Sequence, residues 1–156
     1  MIYIFKVKLS HNKRIWRTIA IKENQTLDTL HKAIFSAFDR YDPHLYSFYM
    51  TGGAKRKKRF DNCSEYTHPQ AIRDDSGMFD FRTPPKNAAR IKIKDLGLSI
   101  KDKFEYLFDF GDNWLHEIVL ETIAEPQPKT KYPKIIKING ESPDQYPDYE
   151  EEDYDC

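Results

Sequence analysis

Tyr3, Phe5, Val7 and Leu9 share one parity while Lys6 and Lys8 take the other, which is the two-residue period of a half-buried strand. His11-Asn12-Lys13 offers a turn. A second strand follows, with Ile15, Arg17, Ile19 and Ile21 on one face and Trp16, Thr18 and Ala20 on the other, so the chain starts as a hairpin. The period then lengthens. Leu27, Leu30, Ile34, Ala37 and Phe38 fall on one stripe at helical spacing, Thr26 can cap that helix, and Asp28 suits its first turn. The helix is predicted to end near Asp39 or Arg40, ahead of the Asp42-Pro43 turn, and His44 to Met50 reads as a third strand closed by Gly52-Gly53.

From Ala54 to about Lys86 no period of either kind is sustained, and a loop of that length is usually functional or mobile. Order returns at Ala89, where Ile91, Ile93 and Leu96 precede a Gly97 turn. Phe104, Tyr106, Phe108 and Phe110 alternate, Gly111-Asp112-Asn113 turns the chain, and a last strand runs from Trp114 to Ile123. Beyond Glu125 come five prolines, the last at Pro147, and then DYEEEDYDC, which reads as an extended arm with an acidic, disordered tail.

A hairpin, a helix across it and two further strands predict an α+β fold with a β-grasp (ubiquitin-like) core, a long central loop and a C-terminal extended acidic arm. A ferredoxin-like sandwich would need a second helix, which the pattern lacks. The expected organisation is one domain over residues 1–125, including the loop 54–86, followed by the arm and tail over 126–156. A chain of 156 residues fits one core and needs no metal or disulfide framework to fold. The two cysteines, Cys63 and Cys156, suit a reducing, cytoplasmic compartment, and the strand-like N-terminus does not resemble an export signal. No apolar run approaches the length of a membrane span. Net charge is zero, yet residues 1–60 hold 13 Lys/Arg against 4 Asp/Glu while the remainder holds 12 against 21. Such asymmetry attracts an anionic partner or is satisfied within the fold.

Four blocks carry a family likeness: IWRTIAI at Ile15 to Ile21, TLDTLHKAIFSAF at Thr26 to Phe38, HLYSFYM at His44 to Met50, and FEYLFDFGDNWLHEIVLE at Phe104 to Glu121. In these the chain resembles the plasmid pRi open-reading-frame-three-like proteins. The resemblance implies a ubiquitin-like α+β fold, occurrence on plasmids and mobile elements, and no established biochemical activity. The resolvase label that some members carry resembles naming by genomic neighbourhood, and no recombinase chemistry is legible in these residues. Members also carry a Pro-Pro-Glu-Asp-Cys-Gly-Gly type stretch after the last hairpin; here NGESPDQYPDYEE keeps Pro143-Asp144 without the Cys or the paired Gly.

Candidate chemistry is confined to a few places. Asp109, Asp112 and His116 surround the last hairpin turn, where carboxylates and an imidazole can serve a metal or acid–base work. Strand parity argues against convergence: Asp109 points away from the aromatic row, and His116 shares a face with Trp114. Asp112 suits the turn backbone, and Trp114 and His116 suit packing on the sheet. Asp109-Phe110-Gly111 spells a kinase triplet, but the Gly-rich loop, strand lysine and His-Arg-Asp loop are missing. His31 with His44 border the apolar stripe, and Cys63 with His68 lack the partners of a zinc finger. Lys55, Arg56, Lys57, Lys58 and Arg59 form a cationic run after two glycines, suited to nucleic-acid phosphates or simply to solvent. Trp16, Tyr41, Tyr46, Tyr49 and Tyr66 offer stacking surfaces if exposed, and core material if not. No nucleophile–base motif, phosphate loop or dinucleotide fingerprint is present.

These residues predict a non-catalytic interaction module that engages a protein, or alternatively nucleic acid, through the basic loop and an exposed sheet edge, with no cofactor, metal or membrane. The competing expectation is a small hydrolytic or metal-dependent enzyme built on Asp109, Asp112 and His116.

Overall fold

The alternation at the start of the chain becomes an antiparallel hairpin of β1 (Ile2–Leu9) and β2 (Asn12–Lys22), with Phe5 opposite Ile19 and Val7 opposite Arg17. The computed structural model describes residues 1–50, 64–71, 86–109, 113–143 and 145. After the hairpin comes α1 (Leu27–Ala37), whose cap is Thr26: its hydroxyl accepts from the Thr29 amide at 3.2 Å, and Asp28 sits in the positive first turn. The far end closes as a Schellman motif. Asp39 takes φ 55° there, its amide donates to Ser36 O and that of Arg40 donates to Phe35 O.

The remaining strands are β3 (Tyr46–Met50), β4 (Ser64–Thr67), β5 (Lys86–Asn87), β6 (Lys103–Phe108), β7 (Trp114–Ala124) and β8 (Lys134–Asn139). All eight lie in one sheet in the order β5-β4-β3-β6-β7-β1-β2-β8, with every neighbouring pair antiparallel except β4 and β5. Both predicted hairpins are therefore in the same sheet, and α1 packs on it.

The β-grasp, ubiquitin-like expectation is wrong. The molecule is mainly β, an eight-stranded mixed sheet with a single α-helix among the described residues. The error has two physical sources. Strands β4 and β5 are too short to display a two-residue period inside the segment read as loop. Strand β8 lies in the segment read as an arm: it buries only Ile135 against the core, and its lysines disguise it. Similarly, Ile93–Leu96 is a 3-10 turn ended by Gly97 at φ 66°, where a left-handed residue is required.

One face of the sheet carries the core. Phe5, Val7, Ile19, Phe48, Phe104 and Ile118 meet Leu27, Leu30 and Ile34 of α1, and each such side chain contributes about 1.5–3 kcal/mol on burial. Arg17 occupies the same face. Its Nε donates to Ala37 O at 2.8 Å, Nη1 to Trp16 O and Asn139 O, and Nη2 to Ser142 Oγ at 2.7 Å, so it ties the electronegative end of α1 to the end of β8. On the opposite face Glu65, Tyr49, Glu105, Glu117, Lys8, Trp16 and Asn139 are successive cross-strand neighbours, and Glu117 pairs with both Lys8 and Lys13. No described helix is long and apolar enough to cross a membrane.

Candidate functional site

The Schellman ending of α1 delivers Arg40 into a buried aromatic cage. Its guanidinium carbon lies 5.0 Å from the Phe108 ring centre, 5.1 Å from that of Trp114 and 5.4 Å from that of Phe38. Nη2 is 3.0 Å from His116 Nε2. A guanidinium only donates, so Nε2 is an acceptor and the ring proton sits on Nδ1, which donates to the Tyr106 carbonyl at 3.2 Å. His116 is fully buried, and burial first, with the Arg40 charge second, holds its protonation well below the usual histidine range. Arg40 is lowered to about 10, chiefly by burial, and stays charged at neutral pH. Among the described residues Arg40 Nη1 and Trp114 Nε1 are buried without a hydrogen-bond partner, and the three rings supply the cation's compensating contacts.

A second buried set adjoins the first through Tyr106. The His31 ring stacks on Tyr46 at 3.9 Å, and its Nδ1 shares a 2.6 Å hydrogen bond with the Tyr106 hydroxyl. The Tyr46 hydroxyl in turn donates to Asp28 in the first turn of α1. Burial drives His31 down to about 3 and raises both tyrosines above their ordinary range. Polar groups thus extend beneath the helix from Asp28 to Arg40, with the hydroxyl of Tyr106 holding one histidine and its carbonyl the other.

Asp109 and His116 take different partners. His116 bonds Arg40 and Tyr106, whereas Asp109 Oδ2 is 3.5 Å from His44 Nε2, which is 3.5 Å from Asp42 as well. Asp109 sits at φ 64° and its carbonyl accepts from Asn113, so it shapes the turn; its charge reaches Arg40 only at longer range. Asp112, Cys63 and the run Lys55, Arg56, Lys57, Lys58 and Arg59 lie outside the described residues, as does the acidic tail. Of the five proposed stacking aromatics, Tyr46, Tyr49 and Tyr66 are buried, Trp16 lies half-buried under Lys6 Nζ at 4.2 Å, and Tyr41 is exposed. Among the described residues no group of three or more His, Cys, Asp or Glu could hold a metal ion.

The other notable place is the terminal strand. Ile136 and Ile138 are 39% and 66% exposed, and Lys129, Lys131, Lys134 and Lys137 are exposed around them. Sequence reasoning missed this strand, and it missed Arg40 and Tyr106 as site residues. One signal was present for the cage: His116 is a polar residue on the strand face that parity assigns to packing.

The decisive comparison is with a protein family, which matches residues 1–148. The chain belongs to the plasmid pRiA4b ORF-3-like family. It is 27% identical over 143 residues to the uncharacterized protein y4hQ of Sinorhizobium fredii, a match covering 88% of this chain and 62% of that protein's length. In structure it is similar to MM3350 of Methanosarcina mazei Go1, a protein of unknown function, with a TM-score of 0.72 and 25% identity over 92% of this chain and 72% of the other. In this family member the string Phe104 to Glu121 spans the β6–β7 hairpin, and it supplies Tyr106, Phe108, Trp114 and His116 of the cage. The letters that most resemble the family therefore build its core.

Proposed function

We propose that this member of the family is a non-catalytic interaction module of the cytoplasm that binds another protein, with nucleic acid as the second class of partner. Association with plasmids or mobile elements is part of the same proposal and draws on the family's name. The observation that carries the reading is the state of His116. The ring is fully buried and neutral, and Arg40 and Tyr106 occupy both its nitrogens, so no position remains from which it could accept a substrate proton. Exposed Ile136 and Ile138, with Lys129, Lys131, Lys134 and Lys137, which make no ion pair among the described residues, lie instead on and just before the terminal strand, a surface suited to association.

Affinity capture from native extract with the full chain, followed by metal analysis of the purified protein, tests the proposal. The expected result is a stoichiometric protein partner on the captured chain. Stoichiometric zinc or manganese, with hydrolytic activity lost on replacing Asp109, would overturn it in favour of a metal-dependent enzyme. A capture dominated by nucleic acid and abolished by neutralising Lys55 to Arg59 would assign the partner to the second class.

A further inference from the structure

We propose that the outer edge of β8 is a docking site for an acidic, extended segment of a partner protein, which joins the sheet as an additional strand. This rests on the interaction-module reading and names its surface and its partner class.

Strand β8 ends the sheet: one side pairs with β2, and no described strand lies on the other. The outward side of a terminal strand presents backbone N–H and C=O groups at the spacing that another strand needs. This edge is also held in place. Arg17 and Asn139 bind each other's segments at its far end, through Arg17 Nη1 to Asn139 O at 3.0 Å and Asn139 Nδ2 to Arg14 O at 2.6 Å. Just before the strand, Gln25 Nε2 donates to Tyr132 O at 2.8 Å. A preorganised edge loses less freedom when a strand is added.

The side chains select the occupant. Ile136 and Ile138 offer apolar contact, and no Asp or Glu lies between positions 126 and 140 to balance Lys129, Lys131, Lys134 and Lys137. None of the four makes an ion pair among the described residues. Lysines on an edge strand repel a second copy of the same edge, which disfavours self-pairing. The same charges favour a strand bearing carboxylates, so one feature both rejects the homotypic partner and attracts the acidic one. Nucleic acid fits less well, because β8 carries neither arginine nor an aromatic ring, and a phosphodiester chain cannot match alternating backbone donors and acceptors.

The probe is a fluorescent peptide of about ten residues, a usual upper strand length, with alternating Glu and Val. It is titrated against the full chain by anisotropy beside three controls: its Lys–Val counterpart, a copy N-methylated at alternate residues, and single-stranded DNA. The Glu–Val peptide is expected to bind, the Lys–Val peptide not to bind, and N-methylation to weaken binding by about tenfold or more, since it removes the ladder donors. Lys134→Glu with Lys137→Glu should weaken it by a similar factor, and Ile138→Asn provides a second variant that leaves the charges intact. The N-methyl comparison uses the wild-type protein and does not depend on either variant folding.

Absence of Glu–Val binding, equal binding of the N-methylated copy, or tighter lysine-dependent binding of the DNA would each overturn the proposal. A gain of more than about tenfold on deleting residues 146–156 would overturn it too, by assigning the edge to the chain's own acidic terminus. A partner captured from extract whose binding ignores the β8 substitutions would leave the interaction module standing and remove this surface from it.

Discussion

Two neutral histidines beneath a helix make the fold sensitive to acid. Burial holds His31 at about 3, with Asp28 opposing the shift and His68, Lys32 and Arg40 reinforcing it, and it holds His116 well below its ordinary value. The unfolded chain takes up protons near pH 6.5 where the folded chain does not. Stability is therefore intact above that pH and falls as pH drops towards 3, and His31 alone should remove about 2 kcal/mol by pH 5. Urea unfolding at pH 7 and pH 5 measures this, and His31→Phe should shrink the difference to the share that His116 contributes; equal midpoints in the wild type would contradict neutral buried rings. At Trp114 two substitutions separate ring from indole. Trp114→Ala should cost about 3–5 kcal/mol through the lost core volume. Trp114→Phe keeps much of the ring over Arg40 and discards an N–H that has no partner among the described residues, so it should cost clearly less in the same thermal melt. At this scale the sequence was partly legible. Parity placed Trp114 and His116 together on the buried face, but nothing local revealed Arg40, whose cage rings come from α1's end, β6 and β7.

Element by element, the local signals worked where an element contains its own cause. The helix begins at Thr26 because that hydroxyl caps it, and it ends where Asp39 turns left-handed. Asp tolerates that conformation less well than Gly, so Asp39→Gly should raise stability by about 0.5–1 kcal/mol in chemical denaturation, without altering the cage. Strand β8 is the contrary case. Its place depends on Arg17, which sits 122 residues from Asn139 in the chain and joins that carbonyl to Ala37 O. Arg17→Met should leave β1 and β7 protected while amide exchange over Lys134–Asn139 quickens, since the edge loses its latch. Unchanged protection there would assign β8 to ladder bonds alone. The sequence showed an arginine on an apolar strand face and a proline-containing arm, and neither names the other as partner.

Across the whole molecule, sheet order controls both folding and surface. Strand β1 lies between β2 and β7, and β8 returns to flank β2, so the ladder is assembled from distant parts of the chain. Such non-local pairing predicts refolding in about milliseconds to seconds, which stopped-flow Trp fluorescence should record; a microsecond phase carrying the full amplitude would contradict it. The amino-acid sequence by itself determined the two hairpins, the capped helix, the core parity of their residues and the family likeness. Periodicity, capping and turn formation are local, and each is complete within a few residues. Only the tertiary structure decided that the sheet has eight strands rather than a β-grasp core, that β8 is an edge and not an arm, and that Arg40 and His116 are sealed together. Strand pairing and the burial of a charge are settled by what the rest of the chain brings alongside, and a short or lysine-bearing segment carries no local record of that neighbour.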